Sequence, residues 1–562
     1  FGLLFVTSAS KLRPVGAIIA MIVGFALDEL GSVPFGEVAT RALLYAWLMV
    51  AIPIGVSIGV NLLIAPSPRK LAGRALAKRL RLTAQSLVEP EATANALNAC
   101  LREGDAEIGT WLKLSVVDGS SVRADVAPLR QAVSSTLTLL VAADLAAREP
   151  SARLPASFAT PIAATLENMA RMLEAGGYPV DIELSLPGTA DLTPLARIVV
   201  EDLRDAITRF AVVEAEAQPQ AQREAGTAPP PAGKRGGFFL PDAFSNPDHV
   251  RYALKTTVAA MFCYLLYSQI NWPGIHTCFI TVYMVSLGTT AETVEKMTLR
   301  IIGCLVGAVL GIAAIVFVTP VLTSVAGLMM LVLIGAWLSA WIAFGSPRIA
   351  YAGFQIALVF FMCVLQGAAP GYDLTLARDR TIGILIGNVV VYLVFTRVWP
   401  VTVAARIDSG LATLRQQWAR LAALPDAVTR RAQAASVMAQ CGALEQDLAL
   451  MHYEPSWVRP DAQWIAERRA ALARLDALEG PMFLLAERRA GDAVIERWLK
   501  RVVDEPEHDP ALPIASSAAL PETTADDDTR IALHHLGDAR LTQLEHAALN
   551  DAAKGLATHA PA

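Results

Sequence analysis

The chain has 562 residues, of which 54% are apolar and 18% charged, where soluble domains carry about 45–50% and about 25%. Its length calls for several units at about 150 residues each, and a mean hydropathy of +0.44 excludes a disordered chain or an ordinary soluble enzyme. A net charge of −5 leaves no basic excess for nucleic acid, and six scattered cysteines without a C-x-x-C pair give neither a disulfide framework nor a metal site. The composition that remains is that of an all-α integral membrane protein with soluble parts.

In chain order, the start Phe1-Gly-Leu-Leu-Phe has no Met and no charged leader, so it reads as a truncated start rather than a signal peptide. A bilayer core needs about 20 apolar residues in a helix. Residues 1–7 read as the tail of one span, and 15–30 and 39–65 as two more. Region 1–65 is thus expected to hold the last part of a first membrane half. Residues 66–216 are rich in Ala and Leu with charges at helical spacing, the pattern of a soluble helical domain. Its first stretch carries Arg69, Lys70, Arg74, Lys78, Arg79 and Arg81 with no acid among them, which places it in the cytoplasm by the positive-inside rule. Residues 217–249 read as a linker and amphipathic lead-in, with a Pro-, Gly- and Ala-rich stretch at 218–237. Region 250–400 holds six expected spans, at 252–268, 274–289, 297–318, 321–344, 349–365 and 381–398. Lys296, Arg300 and Arg348 lie at one set of ends, and the uncharged 269–273 and 319–320 at the other. Residues 401–503 form a second expected cytoplasmic helical domain, and 504–562 an acidic, disordered segment followed by a helix near 529–556.

The chain also resembles itself. Residues 5–20 align with those from 343 onward, each a basic loop followed by a glycine-containing span, and the spans that follow end at Pro66 and Pro400 before an amphipathic helix. Two six-helix halves of one orientation are expected, each followed by a cytoplasmic helical domain, with roughly ninety residues of the first half absent before Phe1.

Several ordered motifs carry a family resemblance: FFLPDAFSNPDHVRYALK from Phe238, WPGIHT from Trp272, LRIIGCLVG from Leu299, GSPRIAYAGFQ from Gly345 and DLTLARDRTIG from Asp373. They resemble the fusaric acid resistance family, which includes the aromatic acid exporters. The resemblance implies a bacterial inner-membrane efflux component that exports aromatic carboxylic acids or drugs. It also implies a periplasmic adaptor protein and an outer-membrane channel as partners.

Intramembrane charge costs about 2.5–3.5 kcal/mol at a helix centre and marks function. Arg300-x-x-Gly303-x-x-x-Gly307 and Arg380-x-x-Gly383-x-x-x-Gly387 share one pattern, entering their helices from opposite sides. Arg300 and Arg380 are candidate partners for a substrate carboxylate; the alternative is that they snorkel or pair with Glu295 and Asp379. Trp272 and Tyr283 are candidate stacking partners for an aromatic ring, or else interface anchors. Asp373, Asp379, Glu292, Glu295 and His276 are candidates for proton coupling, with a solvated loop or ordinary packing as the competing account. Gly303, Gly307, Gly311, Gly383 and Gly387 read as helix-packing positions. Walker, H-E-x-x-H and G-x-S-x-G motifs are absent from the sequence, so neither an ATP-driven pump nor an enzyme is expected, and no cofactor. Proton motive force is the expected energy source, and an anion channel of similar helical layout is the alternative function.

Overall fold

The structure is a computed structural model, and it describes residues 1–31, 36–180, 182–211, 238–365, 372–502 and 525–558. Every regular element among them is helical. In chain order these are α1 (Gly2–Ala9), α2 (Arg13–Gly31), α3 (Gly36–Leu63), α4 (Pro68–Val88), α5 (Pro90–Glu103), α6 (Ala106–Val117), α7 (Arg123–Arg148), α8 (Ala156–Glu174) and α9 (Pro194–Ala211). The central block is α10 (Pro247–Gln269), α11 (Thr277–Val285), α12 (Thr290–Ala313), α13 (Val325–Gly345), α14 (Ala350–Val364) and α15 (Leu374–Arg397). It is followed by α16 (Ala404–Ala423), α17 (Ala427–Leu450), α18 (Ala462–Arg488), α19 (Ala493–Arg501) and α20 (Ala525–Thr558). The expected linker at 218–237 and most of the acidic stretch at 504–528 lie outside the described residues. The chain divides into two units: 1–54 with 228–404 and 449–460, and 55–227 with 405–448 and 461–562.

Among the described residues, length and apolarity suit five helices to crossing a bilayer, and burial separates them. Only 6% of the apolar window of Val325–Gly345 and none of that in Gly36–Leu63 is buried by protein, against 72% for Arg123–Arg148. A uniformly apolar helix left uncovered belongs in lipid, whereas α7 is covered on all sides by helices of its own unit. With the shorter apolar helices at Val15–Asp28, Pro273–Val285 and Ala350–Val364, the chain is an all-α, multi-pass membrane protein.

Each of the eight full spans read from the sequence corresponds to a helix, with shifted ends that have local causes. The span at 274–289 stops at Val285, because Thr289 caps the next helix and the Leu287 N–H turns to the Thr293 hydroxyl at 3.2 Å. α10 starts earlier than expected, at Pro247, with the Asn246 side chain accepting from the Asp248 N–H at 3.0 Å. α12 loosens into a π turn at Ala314–Val318 ahead of Pro320. The proline lacks an N–H, and the Thr319 hydroxyl reaches back to the Ala314 carbonyl at 3.1 Å.

Glycines set how these helices meet. A Cβ on Gly303 would stand 2.6 Å from the Ala352 carbonyl oxygen, on Gly307 2.8 Å from that of Ile356, and on Gly311 2.7 Å from the Cys363 Cβ. α12 and α14 therefore run parallel in backbone contact along three turns. Gly383 meets Thr277 in the same way, and Gly387 meets Thr281, so α15 lies parallel to α11. The start of α12 is tied to the end of α15 by the Thr290 N–H donating to the Val401 carbonyl at 2.9 Å. The Tyr252 hydroxyl of α10 reaches the Ser286 carbonyl at the end of α11, and Gly353 of α14 packs on Ala343 near the end of α13. Consecutive helices of the block thus alternate in direction.

The second unit joins three stretches, the first far in sequence from the other two. α7 is its central helix, and its core contains charge as well as Leu and Ala. Arg102 of α5 pairs with Glu479 and Asp476 of α18, and Arg148 of α7 pairs with Asp476 at 2.8 Å and Asp144 at 2.9 Å. Glu445 of α17 also lies 3.4 Å from Arg102. Four acids therefore meet two arginines. Burial pushes Glu479 up to about 7 against the pull of Arg102, and Asp202 up to about 6 despite Arg488.

Both acids hold a proton more tightly folded than unfolded, so the stabilisation they give is present below about pH 4 and is lost as pH rises through about 6–7. The urea midpoint of the purified protein should fall between pH 5 and pH 8, and Glu479→Gln should remove up to about 3 kcal/mol of that dependence. A Glu479→Gln variant with the same pH slope as wild type counts against it. In the membrane unit, Gly307→Val should separate α12 from α14 at about 1–3 kcal/mol, seen as a lower melting temperature and a smaller monodisperse yield. Unchanged values would show that the close approach is dispensable.

Candidate functional site

α12 is apolar apart from its first turns, and Arg300 sits in the third turn, facing inward. Arg300 is 1% exposed. Its Nη1 donates to the Gln355 Oε1 at 2.9 Å and lies 3.4 Å from the Tyr351 hydroxyl and 3.3 Å from the Met284 sulfur; its Nη2 donates to the Thr281 hydroxyl oxygen at 3.2 Å. All these partners are neutral. Gln355 and Thr281 are themselves fully buried. The two glycine contacts deliver them: Gly303 lets α14 bring in Tyr351 and Gln355, four residues apart on one face, and Gly387 lets α11 bring in Thr281. One turn before Arg300, the Lys296 ammonium lies over the Tyr351 ring at 4.9 Å. A cation, an aromatic ring and a second cation thus follow one another along a single face.

The other residues singled out by sequence fall into separate places. Trp272 and Asp379 come together, the indole N–H donating to the Asp379 Oδ2 at 2.8 Å while Arg378 pairs with Oδ1 at 2.8 Å. Arg380 is half-buried; its carbonyl accepts from the Thr277 hydroxyl at 3.0 Å and its Nε has no hydrogen-bond partner. Arg378, rather than Arg380, is the arginine paired with Asp379. Tyr283 packs with Leu4, Ala20 and Ala253, edge-on to Phe279, away from Thr281 on the same helix. The His276 ring bonds the Pro273 carbonyl at 2.8 Å and lies beside Phe25.

Glu292 closes a capping box: its Oε2 accepts from the Thr289 N–H at 3.3 Å and hydroxyl at 2.9 Å, and its own N–H donates to the Thr289 oxygen. Glu295 is half-buried three residues further on. Asp373 caps α15, where the Thr375 hydroxyl and N–H hold its carboxyl below the usual carboxylate range, so it stays ionised near neutral pH.

Sequence reasoning missed Gln355, Tyr351, Thr281 and Lys296 as companions of Arg300. The available signal was Gln355, a strongly polar residue inside the apolar run of α14 and four residues after Tyr351.

Replacing Arg300 by Leu should leave Gln355 and Thr281 facing an apolar side chain and remove the buried charge. The melting temperature of Arg300→Leu should therefore equal or exceed that of wild type. A fall of several degrees would show that the guanidinium holds the helices together.

Residues 258–394 match a protein family described as fusaric acid resistance protein-like. Over 192 residues the chain is 38% identical to the multidrug resistance protein MdtO of Escherichia coli (strain K12) and to that of Shigella flexneri. Those matches cover 34% of this chain and 28% of the relatives' length. Through this segment, which lies in its membrane unit, the chain is similar to fusaric acid resistance-like proteins.

Proposed function

We propose that the chain is the inner-membrane part of an efflux system that exports aromatic carboxylic acids or drugs. The observation that carries this reading is Arg300, a fully buried guanidinium among neutral partners inside an apolar bundle. Such a charge is costly unless an anion meets it. The family match and the name of the multidrug resistance relatives support efflux as the process. Arg380, with its unpartnered Nε at the opposite end of the bundle, is the second carboxylate-pairing point. Trp272 and Tyr283 flank the path as aromatic contacts. Proton motive force drives the cycle through Asp379, Glu295 or His276, with Glu292 and Asp373 as the more firmly engaged carboxylates. A periplasmic adaptor and an outer-membrane channel complete the route.

The soluble helical unit is assigned to the cytoplasm on the basic run from Arg69 to Arg81. A reporter fused after Arg81 should be cytoplasmic and one at Asn271 periplasmic; periplasmic activity of the Arg81 fusion overturns the orientation.

In cells that depend on the protein, Arg300→Ala and Arg380→Ala should lower export of 4-hydroxybenzoate by about 10- to 100-fold, the equivalent of roughly 1.5–3 kcal/mol for a lost charge-assisted contact. Arg→Lys should lose less, since it keeps the charge without the planar fork. Export of a neutral or cationic substrate should be spared. An equal loss for every substrate, or intact carboxylate export at normal abundance, removes the arginines from substrate binding.

A further inference from the structure

Among the described residues of the membrane unit, Arg300, Gln355 and Asn388 are buried side chains that carry polar atoms without hydrogen-bond partners, three of these four atoms being donors: the Nε of Arg300, the Nε2 of Gln355 and both Nδ2 and Oδ1 of Asn388, on residues 1%, 0% and 2% exposed. The orientation of Gln355 follows from chemistry: a guanidinium only donates, so the amide must turn its oxygen to Arg300, and its NH2 is left over. Asn388 stands on α15 one turn beyond Ile384, which packs with Cys304 of α12, and Arg300 lies one turn before Cys304. Since α12 and α15 run in opposite directions, Asn388 and Arg300 share a level of the bundle. Gly387, its neighbour, packs on the Thr281 that bonds Arg300.

Unpaired buried donors cost about 1–3 kcal/mol each and are rare in folded proteins. Here two of them, on Arg300 and Gln355, belong to one hydrogen-bonded pair that carries an uncompensated positive charge, and Asn388 stands at the same level of the bundle. We infer that Arg300, Gln355 and Asn388 form one anion-binding site, closed over in this state, whose ligand is a monoanionic carboxylate on an apolar or aromatic body. A carboxylate supplies acceptor lone pairs for all three sets of donors. One negative charge neutralises the site, and Tyr351, Met284 and Ile384 suit an apolar remainder. Lys296, over the Tyr351 ring, stands one turn nearer the helix end, where an arriving anion would meet it first. The inference rests on the reading of the membrane unit as a route for anions and adds the residues that select the ligand.

Gln355→Glu tests it, because the variant gives Arg300 a built-in carboxylate. In lipid nanodiscs at constant ionic strength, the melting temperature of wild type should rise saturably with sodium 4-hydroxybenzoate and not with 4-hydroxybenzamide. Gln355→Glu should melt at or above the ligand-free wild-type temperature, with the apparent Kd for the acid raised at least about tenfold. Asn388→Leu, which leaves the Arg300–Gln355 bond intact, should fold and raise the Kd about fivefold, and it decides the matter should Gln355→Glu fail to fold. Equal responses to acid and amide in wild type, or an unchanged Kd in a folded variant, overturn the site. Binding without cellular export would sink the efflux reading alone, and export with unaltered binding in Gln355→Glu would sink this inference alone.

Discussion

A single guanidinium held away from water and from any carboxylate partner organises the membrane unit. Arg300 can sit at that depth only if several neutral oxygens reach it, and they come from two other helices. Glycine at 303 and 307 brings one helix close enough on one side, and glycine at 383 and 387 brings α15 against the helix that carries Thr281. The close helix contacts and the polar centre are therefore one arrangement. A larger residue at Gly303 would move Gln355 along with the backbone that carries it. Its effect would thus reach hydrogen bonding as well as packing.

Much of this was legible in the sequence. Apolar runs marked the positions of eight helices, since a helix that faces lipid shows its length directly in composition. The paired Arg-x-x-Gly-x-x-x-Gly patterns pointed to an inward charge beside a close helix contact. The neighbours of Arg300 were not legible, because no rule of spacing links Thr281, Arg300 and Gln355 across three helices. Glu292 shows the converse. Its position three residues after Thr289 is a capping signature readable from sequence, yet a carboxylate beside a span drew attention to proton chemistry first. Tyr283 was singled out by residue type, and helical periodicity then turns it away from Thr281, two residues earlier on the same short helix.

In the second unit the limits are different. Charges at helical spacing in 66–216 and 401–503 suggest solvated faces, and several of them are core. Arg102 reaches Glu479 and Asp476, and Arg430 and Arg431 share Glu487. A charge buried against a partner hundreds of residues away has the same local pattern as one in water, so periodicity alone could not separate them. α7 is the complementary case: its sequence is apolar enough for a bilayer, and its burial among other helices decides otherwise.

The separation of Arg102 from Asp476 has a consequence for biosynthesis. Their partnership spans 374 residues, and at 5–20 residues per second a ribosome needs roughly 20–75 seconds to make that stretch. Throughout that interval α5 and α7 exist without the acids that will neutralise Arg102, while the intervening segments are being handed to the membrane. The nascent amino-terminal half of the second unit is thus a transient client for whatever shields incomplete cores during translation. The middle turns of α18, which carry Asp476 and Glu479 and arrive late, determine when that dependence ends.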